Sequence, residues 1–140
     1  MTFKQWEALV PDVIRQDTLW KVEAYRLSLF LGDIAWEDVT SLLRDRRTTD
    51  IADQLSRSVA RISACIAEGY SRNCGKARST FYEYACGSAR ESRDWYFKGR
   101  RLLKPQVVEH RMDLCAQISR LTLRMISTER SRNRRVCPDN

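Results

Sequence analysis

Residues 51–72 read IADQLSRSVARISACIAEGYSR, and their spacing decides the fold class. Ile51, Leu55, Val59, Ile62, Ile66 and Gly69 recur every three or four residues, which is the apolar stripe of an amphipathic helix. A second stripe, Gln54, Arg57, Arg61, Cys65, Glu68 and Arg72, keeps the same spacing and lines another face. The small residues Ala64, Cys65, Ala67 and Gly69 mark a place where another backbone can come close, and Glu68 among them needs a cation. Thr49 or Asp50 is the expected N-cap. The segment 73–76, NCGK, is the expected stop, because Asn and Gly accept the backbone that ends a helix.

The same periodicity extends in both directions. Upstream, Asp17 offers an N-cap to a helix carrying Trp20, Ala24, Leu27, Leu31, Ile34, Val39 and Leu42 to about Arg44, with an irregularity expected near Gly32. Residues 1–16 hold Phe3, Trp6, Leu9 and Val10 before Pro11, which predicts a short helical lead-in. Downstream, a third helix is expected through Phe81, Tyr84, Ala85, Trp95 and Leu102. Pro105 then opens a fourth, with Val108, Leu114, Cys115, Ile118, Leu121 and Met125 facing inward. Its apolar phase fades before a basic tail at 129–140, expected to fray, so 17–128 form the main unit. Four long helices joined by short turns predict an all-α antiparallel up-down four-helix bundle.

Folding the second helix against the third about residues 73–76 sets positions whose numbers sum to about 149 at one height. Ser88 and Glu91 share the expected phase of Phe81, Tyr84 and Trp95, so a carboxylate falls in an apolar stripe. An Arg57–Glu91 ion pair is therefore expected, with Ser88 level with Arg61, and with Glu68 held by Arg72 one turn along. Gln54, Arg57, Arg61, Glu68, Arg72, Ser88 and Glu91 form the predicted polar seam, and Gly69 and Gly87 let the two helices touch.

Composition narrows the class of protein. The 140 residues are 43% apolar and 31% charged with five glycines, which suits a single helical domain and not a disordered chain. Charges interrupt every apolar run, so no membrane span is expected, and the start lacks the order of a signal peptide; a cytoplasmic location is the expectation. Five cysteines without a C-x-x-C pair predict free thiols and no zinc site. The net charge of +7 is uneven: residues 1–70 sum to −2 and residues 71–140 to +9. Most of the cations are arginines, which grip carboxylate or phosphate with two parallel donors.

The motif Ile66-Ala67-Glu68-Gly69 with Arg72, preceded by Gln54-Leu55, Arg57 and Ile62 and followed by Phe81, Ala85, Gly87-Ser88 and Glu91, resembles the four-helix proteins encoded in intervening sequences of bacterial 23S ribosomal RNA. The accessory variability proteins of diversity-generating retroelements look like the same superfamily. The resemblance spans roughly residues 18–128 and includes Trp20 and Ala24. It implies an up-down bundle that assembles into a ring, typically a pentamer, with a basic surface directed at nucleic acid and no established catalysis. Where the family usually carries Ser and Asn, this chain has Arg61 and Cys65.

Enzymatic readings find little purchase. A di-iron bundle needs Glu-x-x-His pairs, and His110 is the single histidine. Its neighbour Glu109 points elsewhere on a helix, so His110 is expected to be solvated. No glycine-rich phosphate loop is present, and neither a cofactor, a metal nor a small-molecule substrate is signalled. Nucleic-acid binding rests on cationic clusters: Arg44, Arg46 and Arg47; Arg72, Lys76 and Arg78; Lys98, Arg100, Arg101 and Lys104; and Arg130, Arg132, Arg134 and Arg135. The first and third turns are expected to meet at one end. The alternative is a protein-interaction scaffold, or an accessory subunit of a nucleic-acid enzyme such as a reverse transcriptase, because Trp95, Tyr96 and Phe97 point in three directions.

Overall fold

The computed structural model describes residues 1–132, and these are predominantly helical, with no strand among them. Two short helices come first, α1 (Phe3–Glu7) and α2 (Asp12–Arg15). Four long ones follow: α3 (Glu23–Leu43), α4 (Thr49–Tyr70), α5 (Gly75–Lys98) and α6 (Pro105–Arg132). Short 3-10 turns at Thr18–Lys21, Arg46–Thr48 and Arg100–Leu102 link them. Each long helix packs on the next in sequence, and α3 also meets α6. Their shared core contains Leu31, Leu42, Leu55, Ile62, Ile66, Ala85, Ala89 and Ile118. No described helix is long and apolar enough to cross a membrane.

Several helix ends differ from the sequence expectation. Asp17 does cap, but it caps the 3-10 turn by accepting from the Leu19 amide at 2.9 Å. The extended backbone of Val22 then delays α3 until Glu23. Gly32 causes no break in α3. Thr49 lies inside α4, because Asp45 caps the preceding turn and the Thr48 hydroxyl donates to the Leu42 carbonyl at 2.6 Å. Gly99 ends α5, leaving Leu102 in a 3-10 turn. Residues 129–132, assigned to the tail from sequence, continue α6. The lead-in comprises two helices, pinned to α3 by the Trp6 indole donating to Asp33 at 2.6 Å and by Arg26 donating to Glu7 at 3.1 Å. Phe3, Trp6, Trp20 and Phe30 stack around that joint.

The largest correction concerns the rotation of α5. Tyr84 is exposed and Phe81 and Trp95 are only partly covered, whereas Tyr82, Ala85, Cys86, Ala89 and Tyr96 are buried. The inward face is turned by about one residue, roughly 100°. Ser79, Ser88 and Ser92 are buried with it, so the face that packs is small and hydroxyl-bearing and the large rings flank it. Ser92 Oγ lies 2.8 Å from Ser58 Oγ and 2.8 Å from the Ser88 carbonyl oxygen, which makes Ser92 the partner at the height expected for Glu91. Glu91 itself is exposed and accepts from the Trp95 indole at 3.3 Å. Arg57 is exposed too, and the Arg57–Glu91 ion pair is absent among the described residues. The Glu68–Arg72 pair does form, on the surface.

Glycine placement follows the same geometry. A Cβ on Gly69 would stand 2.8 Å from the Tyr82 ring and 2.9 Å from Phe81 Cβ, so the expected close approach of α4 and α5 occurs there. Gly87 is different: nothing lies within 4 Å of the place its Cβ would occupy. It faces solvent in mid-helix, where glycine costs conformational entropy and shields no backbone. Gly87→Ala is therefore expected to raise stability by about 0.5–1 kcal/mol in urea unfolding; a loss would mean that something outside the single chain needs the glycine.

Candidate nucleic-acid interface

The first and third turns meet. A Cβ on Gly99 would stand 2.9 Å from Leu42 Cδ2 and 3.4 Å from Ile51 Cγ2, which sets the α5–α6 turn directly against the end of α3 and the start of α4. Seven of the predicted cations gather at this end. They divide by how much of each is already engaged. Arg47 grips Asp45 with Nε at 3.0 Å and Nη2 at 2.7 Å, and those hydrogen bonds hold the Asp45 carboxyl down to about 2. Lys98 pairs with Asp94 at 2.7 Å and lies over the Trp95 ring. Arg100 donates to the Phe97 carbonyl at 2.9 Å and covers the Phe97 ring at 4.1 Å. Arg44, Arg46, Arg101 and Lys104 are exposed, and among the described residues no carboxylate lies within ion-pair distance of them.

The second turn meets the end of α6 instead, at the far end of α4, about 30 Å away. A Cβ on Gly75 would stand 2.5 Å from the Glu129 carbonyl oxygen. Here most cations are spent. Arg72 binds Glu68 and covers the Phe81 ring, and Arg130 binds Glu83. Arg78 donates to the carbonyls of Arg72 at 2.8 Å and Tyr70 at 3.0 Å, capping the end of α4, and reaches Glu129 at 3.6 Å. Arg132 reaches the same carboxylate at 3.4 Å. Lys76 is exposed. Arg134 and Arg135 lie outside the described residues. Of the seam residues, Gln54, Arg57, Arg61, Glu68, Arg72 and Glu91 are exposed and Ser88 is buried, so they do not form one internal network.

A buried polar junction that sequence reading missed lies between the helices. Asp38 on α3 accepts from the Tyr96 hydroxyl of α5 at 2.8 Å and from Arg111 Nε of α6 at 2.8 Å. The two charged side chains keep 7% and 16% of their exposure, so this pair is inside the protein and the surface pairs above are not. Burial and the neighbouring Asp38 push the Tyr96 phenol far above its ordinary value. Arg111 also lies 2.7 Å from His110 Nδ1; partial burial and that guanidinium lower the histidine's pKa. His110 is solvent-exposed, as expected, with one ring edge toward Phe30. The signal was present: Asp38 falls in step with Leu31, Ala35 and Leu42, a carboxylate in an apolar stripe.

The thiols depart in part from expectation. Cys65, Cys86 and Cys115 are free, and burial pushes Cys115 up to about 12, out of the range of a nucleophile. Cys74 is disulfide-bonded, against the expectation of a free thiol. Cys137 lies outside the described residues. No group of three His, Cys, Asp or Glu side chains among the described residues is arranged to hold a metal.

Among the described residues the arrangement leaves two chemical resources on the surface: an end with four cations that pair with no carboxylate, and exposed apolar faces. The sequence places it among known proteins. No curated protein and no solved structure matched the chain. A family model described as 23S rRNA-intervening sequence protein matches residues 21–124, which covers α3, α4 and α5 in full and α6 as far as Arg124. On that match, the chain belongs to the 23S rRNA-intervening sequence protein family.

Proposed function

We propose that the protein is a non-enzymatic, cytoplasmic, antiparallel four-helix bundle that assembles into a homo-oligomer, a pentameric ring by family resemblance, and binds RNA or DNA through the arginine-rich end where the first and third turns meet. The observation that carries this reading is the seating of Gly99 against Leu42 and Ile51, which brings Arg44, Arg46, Arg101 and Lys104 to one end with no carboxylate among the described residues within ion-pair distance of them. Guanidinium groups in that state are available to phosphate oxygens. The bundle is supported by the packing of each long helix on the next and by the pairs Ser58 with Ser92 and Gly69 with Tyr82, whose numbers sum to 150 and 151.

The test is binding of a short single-stranded RNA and a DNA duplex across a salt series. Affinity for duplex should fall by about 0.9 log unit per contacted phosphate for each tenfold rise in salt. Charge reversal of Arg44, Arg46 and Arg101 together should flatten that slope, while reversal of Arg130 should not. Salt-independent retention, or equal slopes for both variants, would remove the proposal.

A second reading, a scaffold that contacts protein and not nucleic acid, draws on one different feature. Trp36 and Leu43 on α3 are 74% and 51% exposed and line a groove of about 450 Å³ against α4. Large apolar groups at solvent mark contact surfaces. The solution mass with and without RNA separates the two readings: a ring whose mass ignores RNA favours the scaffold, including the accessory-subunit form of it.

A further inference from the structure

A cavity of about 370 Å³ opens where the start of α3, the ends of α4 and α6 and the start of α5 converge, far from the cationic end just proposed for nucleic acid. Leu121, Met125 and the buried Tyr82 give it apolar walls, three arginines border it, Arg78, Arg124 and Arg132, and so do two carboxylates, the exposed Glu23 and the buried Glu129. The size falls within the roughly 300–1,000 Å³ typical of small-molecule sites.

The walls are fixed by packing. Two backbone carbonyls hold the Arg78 guanidinium in place, Tyr82 is clamped beneath Gly69, and the Glu129 backbone abuts Gly75. Such a pocket needs little rearrangement to accept a ligand. Its charges are also unevenly satisfied. Glu129, with 8% of its side chain exposed, is shared by Arg78 and Arg132 at 3.6 and 3.4 Å, longer than the roughly 2.7–2.9 Å of a close charge-assisted bond. Arg124 is exposed on the rim, with no carboxylate within ion-pair distance among the described residues. Arg124 and Arg132 stand two helical turns apart on the same face of α6, with Thr128 between them.

An occupant matching these features has three parts: an anionic group for Arg124 and Arg132, a flat apolar body for the apolar walls, and a hydrogen-bond donor toward the Glu129 carboxylate. We propose that this cavity binds a nucleoside monophosphate, with the phosphate at the Arg124–Arg132 rim, the base against Leu121 and Met125, and a base amino group or ribose hydroxyl facing Glu129. The site does not depend on the cationic end, so either proposal can fail alone.

The experiment is calorimetric titration of the full chain with AMP, CMP, GMP and UMP at low salt, against inorganic phosphate, ribose 5-phosphate and adenosine as controls. At least one nucleotide should bind more tightly than all three controls. Arg124→Ala, an exposed position, should weaken it by roughly tenfold or more, the worth of a charged hydrogen bond. Thr128→Trp, also at an exposed position on the cavity wall, should abolish binding by filling the space, with the thermal midpoint of both variants as a check on folding. An Arg44→Ala/Arg46→Ala variant should bind nucleotide as the unaltered protein does. Absence of heat at millimolar nucleotide, equal binding of inorganic phosphate, or undiminished binding by a folded Thr128→Trp protein would overturn the proposal.

Discussion

Replacing Arg111 by methionine is expected to destabilise the folded chain by about 3–5 kcal/mol, read as a lower urea midpoint. Methionine keeps most of the aliphatic stem and its packing, so the loss isolates the guanidinium. Without it, Asp38 remains buried with the Tyr96 hydroxyl as its one described side-chain donor. Tyr96→Phe removes only that neutral donor and should cost less, about 1.5–3 kcal/mol for a hydrogen bond to a charged group. The triple variant Asp38→Leu, Tyr96→Phe, Arg111→Met should recover most of the loss, because burying apolar groups of similar volume removes the desolvation cost of both charges. An Arg111→Met protein within about 1 kcal/mol of the parent would match an exposed pair and show that the junction is not closed to water.

Gly75→Ala should produce the second large effect, a loss of about 1–3 kcal/mol. The added methyl would sit 2.5 Å from the Glu129 carbonyl oxygen and 3.4 Å from its Oε2. A helix backbone cannot yield by that amount without parting the start of α5 from the end of α6. The same substitution at Gly99 meets the tip of Leu42 at 2.9 Å. A leucine methyl can swing aside, so Gly99→Ala should cost less than Gly75→Ala. Thermal and urea midpoints of the two variants, measured together, check the order. A neutral or stabilising Gly75→Ala would mean that the contact between the second turn and α6 is looser than its geometry requires.

Legibility in the sequence varied by element. The apolar stripe of α4 was read closely: Leu55, Val59, Ile62, Ile66 and Gly69 are buried and Ile51 is half-buried, with Ala52 and Ser58 added to the inward face. Pro105 opens α6 as its fixed backbone angle requires. The phase of α5 was misread because bulk was taken as the measure of burial. Phe81, Tyr84 and Trp95 are large, yet the buried face is chosen by what the neighbours can accept, and Gly69 accepts the Tyr82 ring while Asp38 accepts the Tyr96 hydroxyl. One misphased helix moved Glu91 from the core to the surface and dissolved the expected ion pair.

The rule that a carboxylate in an apolar stripe needs a cation was sound, and it was applied to the wrong acid. On α5 the stripe was mistaken, so Glu91 had no burial to compensate. On α3 the buried face takes in Ala35 and Asp38 beside the expected Ala24, Leu27, Leu31 and Leu42, while the expected Ile34 and Val39 are half-buried, and Asp38 finds Arg111, distant in sequence. The meeting of the first and third cationic clusters at one end was likewise legible, but not which of their cations are already engaged. Arg47, Lys98 and Arg100 look like their neighbours in sequence, and only their contacts with Asp45, Asp94 and Phe97 remove them from the pool.

The sequence by itself determined what depends on near neighbours: helical class, the number of long helices, most of their limits to within a turn, the apolar face of α4 and the excess of positive charge. These follow from spacing, caps and composition, which act over a few residues. Tertiary structure alone decided which face of α5 turns inward, which acid is buried, which arginines stay uncommitted and where a cavity remains. Each of those outcomes is set by contacts between side chains dozens of positions apart, and local periodicity carries no information about the partner on the facing helix.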